Sequence, residues 1–140
     1  MVTWLFMAAL RRKYLQNNKV ISQTYGLSNL LDFVAIGTVA DCVIMATSHN
    51  NRIVTKFGID QLKNNQRLCW DFLDKDKLSS EYIGFSIVPI LNSDGRVSDA
   101  LGSVNFLLEE NEHKIEDIFD NLKQQNNQRK EIQKNLLKKQ

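Results

Sequence analysis

Nineteen residues, Ser28 to Ala46, read SNLLDFVAIGTVADCVIMA and constrain this chain more than any other stretch. Leu30, Leu31, Phe33, Val34, Ile36 and Val39 make the run apolar on nearly every side, which predicts a helix buried all round. Ser28 is its expected N-cap. An acid, Asp41, stands near its end. An ionised carboxylate inside apolar surroundings is costly unless it is paired or holds a metal. On the residues alone two readings stay open: Asp41 ligates a metal, or it ends the helix by bonding neighbouring amides or Arg52.

The rest of the chain reads as further helices. Residues 3–17 have helical spacing, with Trp4, Leu5, Ala8 and Leu15 facing a core and Arg11, Arg12 and Lys13 near the end where cations suit the helix dipole. TSHNN at 47–51 is a polar loop. Arg52–Leu62 carries Ile53, Val54, Phe57 and Leu62 at helical spacing, with Gly58 tolerated within it. Residues 63–82 form a polar connector. IGFSIVPIL at 83–91 is a short apolar run of strand or irregular type, and LNSDGR at 91–96 has turn chemistry. Ser98–Leu108 reads as a helix. One long polar helix then runs from Asn111 to Gln140, reaching about 45 Å at 1.5 Å per residue. Ile115, Ile118, Phe119 and Leu122 stripe its first half, and Lys123–Lys130 is polar all round, as in a helix that bridges solvent between domains.

Charge and cysteine usage narrow the class. The first twenty residues hold four cations and no acid, and the last twenty hold six cations and one acid, so a net charge of +2 conceals an acidic middle. Basic ends around an acidic centre suit a protein that holds phosphates and needs carboxylates for metal, and they suit equally two amphipathic helices with solvated lysines. Cys42 and Cys69 match no metal spacing and read as reduced thiols. In the opening MVTWLFMAALRRKYLQ the basic residues follow the apolar run, which is also too short for a membrane span. A cytoplasmic location without a membrane partner is the expectation. His49 and His113 read as loop or surface residues, and Trp4 and Trp70 as core aromatics.

Three blocks carry a resemblance. Leu31–Met45, followed by Asn51-Arg52, resembles the fourth conserved block of the DHH-superfamily phosphoesterases, in the form typical of RecJ exonucleases. There the block's last aspartate is a manganese ligand, and it falls on Asp41. Gly37 and Thr38 fall on a glycine and threonine that let the helix pack against the metal centre. IGFSIVPILNSDGRV at 83–97 is similar to a second block of that family, with Pro89, Leu91, Asn92, Gly95 and Arg96 matching. On the residues, Gly95 permits close backbone approach. Asn92 and Arg96 either bond a phosphate or brace the turn, Arg96 through Asp94 or Asp99. NNQRKEI at 126–132 resembles the family's Asn-x-x-Arg signature, with Asn126 and Arg129 matching. TWLFMAALRRK resembles the helix after the DHH triplet.

The resemblance implies an α/β parent enzyme. This chain would be a mostly helical part with a short strand and a long C-terminal connecting helix: residues 1–110 the C-terminal part of a DHH phosphoesterase domain, 111–140 the interdomain helix. It also implies metal-dependent removal of nucleotides from the 5′ end of single-stranded DNA in repair and recombination, with manganese or magnesium as cofactor. Arg52, Asn92, Gly95 and Arg96 would be the nucleic-acid contacts, Asp41 the catalytic metal ligand. The chain departs from the family pattern too. No aspartate pair and no DHH triplet precede Asp41; Ile44 replaces a usual proline, Ile90 a usual arginine, and Ser93-Asp94 an alanine pair. One carboxylate does not hold two metals. The expectation is therefore a chain inactive alone, whose partner polypeptide carries the missing ligands, or else a non-catalytic partner that binds a RecJ-like enzyme or single-stranded nucleic acid. A DHH enzyme of short oligonucleotides or cyclic dinucleotides fits the LNxxGR block less well.

Overall fold

The structure, a computed structural model, describes residues 1–16, 26–64, 67–93 and 101–138. Among them the regular elements are all helical and no β-strand occurs. The chain divides into two compact units, Met1–Asn64 with Leu78–Ser80, and Asn65–Lys77 with Glu81–Gln140.

The first unit contains α1 (Val2–Gln16), a 3₁₀ turn (Leu27–Leu30), α2 (Leu31–Ala40) and α3 (His49–Lys63). Its centre is the packing of α2 on α3, and Gly58 decides how close that packing is. A Cβ added at Gly58 would lie 2.1 Å from the Leu31 carbonyl oxygen and 2.5 Å from the Ala35 Cβ. The spacing of apolar residues suggested only that α3 tolerates this glycine. In the fold α3 needs it, because the backbone of α2 rests on it. Ala35 and Leu62 are fully buried at this crossing, with Val34 and Ile36 nearly so.

A second tie holds the start of α2. The Gln61 side chain donates from Nε2 to the Ser28 carbonyl at 2.6 Å and accepts from the Asp32 amide at 3.2 Å. That amide is one of the N–H groups a helix start leaves unpaired. Ser28, the expected N-cap, instead lies inside the 3₁₀ turn, and the residue at the N-cap position is Leu30, which makes no side-chain cap bond.

α2 also ends sooner than its apolar run, at Ala40 instead of Ala46. Cys42 adopts φ 51°, the left-handed region. The Cys42 amide donates to the Val39 carbonyl at 3.0 Å and the Val43 amide to the Thr38 carbonyl at 3.2 Å. This is a Schellman ending with a cysteine where glycine is usual. α3 starts earlier than the sequence suggests, because Ser48 caps it by accepting from the Asn51 amide at 3.3 Å.

α1 is bound lightly. The Trp4 indole donates to the Leu27 carbonyl at 2.7 Å, but no residue of the helix is buried. Leu5 and Leu15, expected in a core, are 49% and 53% exposed.

The second unit is built on α7 (Glu112–Leu137), which starts at Asn111, whose side chain accepts from the Lys114 amide at 3.2 Å. Ile115, Phe119, Leu122 and Asn126 form its buried stripe at helical spacing. Phe119 lies 4.8 Å from Phe72 and 5.2 Å from Phe106, the latter on α6 (Leu101–Leu108). Trp70, in a 3₁₀ turn at Leu68–Phe72, is fully buried, as expected of a core aromatic.

The run read as strand or irregular at 83–91, which would supply the expected short strand, is helical instead. It follows directly on α4 (Ser80–Tyr82) and consists of a π turn (Ile83–Ile87) and α5 (Val88–Leu91). A short apolar run has no periodicity that separates strand from buried helix. The π turn has a local cause. Pro89 offers no N–H and its ring would press on the carbonyl four residues back. The widened turn, in which the Val88 amide donates to the Ile83 carbonyl, accommodates it.

Two substitutions test this reading of the first unit. Gly58→Ala is expected to cost about 2–3 kcal/mol, the scale of overpacking in a tight interior. Cys42→Gly is expected to add about 1 kcal/mol by relieving the left-handed residue. Urea unfolding followed by circular dichroism measures both, and equal midpoints for Gly58→Ala and the parent chain would contradict the close crossing.

Candidate metal and nucleic-acid-binding residues

Asp41 is the C-cap of α2, its amide donating to the Gly37 carbonyl at 3.0 Å. Its side chain is exposed, not embedded in apolar surroundings. The early end of α2 at Cys42 is the reason, since it places Asp41 on the last turn and out of the core. The buried acid of this helix is Asp32, 2% exposed, on the first turn, where the dipole favours a carboxylate. Asp32 Oδ1 accepts from the Phe33 amide at 2.8 Å.

Among the described residues the Asp41 carboxylate makes no ion pair and no hydrogen bond, so neither structural role left open for it is filled. Arg52, on α3, does not reach it; its guanidinium lies 3.5 Å from His49 Nδ1. His49 opens α3 and His113 lies on α7, both exposed as expected.

Thr38 and Gly37 precede Asp41 by one turn. Thr38 is 1% exposed and its hydroxyl donates to the Val34 carbonyl at 2.6 Å, which satisfies a buried polar group within the helix. Gly37 faces open space: beyond its own turn of helix, a Cβ there would meet no atom of the described residues within 4 Å. Among the described residues no three His, Cys, Asp or Glu side chains converge on a cation-sized site. With no such group of three, the described residues do not by themselves fit a manganese or magnesium centre.

In the second unit Asn92 is the C-cap of α5, exposed, with its amide donating to the Val88 carbonyl at 2.9 Å. Gly95 and Arg96 lie outside the described residues. Ser93, which stands where the resembling block has an alanine, is fully buried; its hydroxyl lies 2.6 Å from the Ile90 carbonyl and 3.0 Å from the Leu122 carbonyl of α7. The Ser103 hydroxyl donates to the Leu91 carbonyl. These contacts fasten the end of the 83–93 segment to α7 one turn before Asn126. Asn126 is 4% exposed, and its Oδ1, like Arg129 Nε and Gln125 Oε1, is buried without a hydrogen-bond partner among the described residues. An asparagine and an arginine in a polar stretch gave no sign of burial. Only the Ile115, Phe119, Leu122 spacing, continued by one more turn, points to Asn126.

No family model matches the chain. Curated relatives do. The chain is 31% identical over 109 residues to the single-stranded-DNA-specific exonuclease RecJ of Bacillus subtilis, covering 74% of this chain and 14% of that protein. Against the Escherichia coli protein of the same name it is 33% identical over 117 residues, 79% of this chain and 20% of the relative. The Haemophilus influenzae protein matches at 31% over 140 residues, 94% of this chain and 24% of the relative. In fold, the chain is similar to a crystal structure of exonuclease RecJ bound to manganese, with a TM-score of 0.72 at 22% identity, over 80% of this chain and 29% of that one. The order of the three sequence blocks, the helical fold and these matches lead to one conclusion: the chain belongs to the RecJ family and spans about a quarter or less of the curated relatives it matches.

Proposed function

We propose that this chain is part of a metal-dependent exonuclease that degrades single-stranded DNA from the 5′ end, in repair and recombination, and that it is inactive alone. Residues 1–110 are the rear of its DHH domain and 111–140 the interdomain helix. Asp41 is one carboxylate ligand of a manganese or magnesium centre whose remaining ligands come from another polypeptide segment. Hard divalent ions take carboxylate and imidazole ligands of this kind. Arg52, Asn92, Gly95 and Arg96 contact the strand. Gly37 and Thr38 set α2 against the metal centre, and Asn126 and Arg129 hold the connecting helix. The protein works in the cytoplasm.

The observation that carries this reading is the position of Asp41: it ends α2, exposed, with its carboxylate bonded to nothing among the described residues. The open face at Gly37 and the exposed apolar side of α1, with Val2, Phe6 and Leu10 at the surface, support a neighbouring segment that completes the site. A non-catalytic role, as a binding partner of a RecJ-like enzyme, has one observation in its favour. Ile132, Leu136 and Leu137 are exposed on the second half of α7, a stripe suited to another helix.

The chain mixed with an N-terminal piece of a RecJ-type enzyme, the piece with the aspartate pair and DHH triplet, should digest labelled single strands when manganese is added. Neither part should do so alone. Asp41→Asn should lower the activity of the mixture about 100-fold or more, given that even residues behind the ligands are worth about 10–100-fold. Its circular dichroism should be unchanged, because the Asp41 carboxylate makes no bond among the described residues and the backbone cap is kept. A well-formed complex without nuclease activity would leave only the non-catalytic role.

A further inference from the structure

We infer that the exposed face of α3 is a single-strand track, with Arg52, Lys56 and Lys63 taking phosphates and Phe57 stacking a base. The inference rests on the proposed nuclease reading and goes beyond Arg52 in naming where the strand runs. Arg52, Lys56 and Lys63 lie four and seven residues apart on α3, about 6 and 10 Å along the axis. They line one open groove of about 370 Å³, whose opposite wall is Leu78, Ser79 and Ser80. The facing charged groups are these three cations and Asp60, and no ion pair joins Asp60 to any of them among the described residues. The groove therefore keeps a positive excess available for an anion.

A second row runs beside the first. Ile53 and Phe57 are spaced four apart on α3 and are 39% and 56% exposed. Cations in one row and an aromatic ring in the next match a ligand with phosphates along one side and bare ring faces along the other. That is a single-stranded nucleic acid. An acidic peptide uses the lysines but has no need of Phe57, and a duplex hides its base faces. Phe57 is therefore the residue that selects a single strand over other anions.

The test is fluorescence anisotropy of the intact chain with a labelled single-stranded oligonucleotide, across a series of salt concentrations. Lys56→Gln with Lys63→Gln should weaken binding roughly tenfold at low salt and flatten the log–log salt slope by about 1.4, two phosphates' worth for a single strand. Phe57→Ala should weaken binding several-fold and leave the slope unchanged, because stacking releases no counterions. All three side chains are exposed, so circular dichroism should match the parent chain. An unchanged slope in the double lysine variant overturns the track, and so does a parent chain that binds no strand. If the lysine variant binds the strand normally but no longer assembles with the N-terminal piece, the face is a protein-docking surface and the track is wrong. Measuring nuclease activity of the parent mixture alongside separates the two readings. Activity present with an unchanged slope removes only the track, whereas a lysine-dependent slope without activity removes only the nuclease reading.

Discussion

The contact at Gly58 governs the first unit. With no side chain there, the carbonyl of Leu31 and the Cβ of Ala35 come down onto α3, and the two helices form one packed pair. Everything of functional interest in this unit follows from that pair. It fixes the axis of α2, hence the point at which Asp41 leaves the core. It turns Asn51, Thr55 and Leu62 inward, hence Arg52, Lys56 and Lys63 outward. A larger residue at 58 would separate the helices and loosen both the carboxylate and the basic face together.

Asp41 owes its exposure to a backbone feature, not to the hydrophobic pattern. The left-handed Cys42 stops α2 while the sequence is still apolar, so the acid comes out at the helix end. Two acids on one helix thus divide the roles: Asp32 is spent on the helix start, and Asp41 is spent on nothing within the described fold.

Much of this was legible from the residues. Helical periodicity marked α1, α3 and α7, an apolar run marked α2, and the Ile115, Phe119, Leu122 stripe is the buried face of α7. The expectation of a mostly helical chain holds. The blocks around Asp41, Asn92 and Asn126 pointed to RecJ, and the curated relatives carry that family name. What failed was long-range. Nothing local in the sequence told that Gln61 would cap α2 in place of Ser28, or that Gly58 was required and not merely tolerated. The run at 83–91, expected as strand or irregular, is helical, and the chain accommodates the missing N–H of Pro89 with a π turn. Ser93 looked like a departure from a family pattern, yet it is a buried hydroxyl that fastens its segment to α7.

The central claim is that Asp41 completes a metal centre it does not build alone. Manganese titration followed by electron paramagnetic resonance tests it directly, because free and bound ions give different signals. The chain alone should leave manganese free, the N-terminal piece alone should bind it weakly, and the mixture should bind it tightly, with Asp41→Asn returning the mixture to weak binding. Tight manganese binding by the chain alone, or undiminished binding in the Asp41→Asn mixture, would contradict the account.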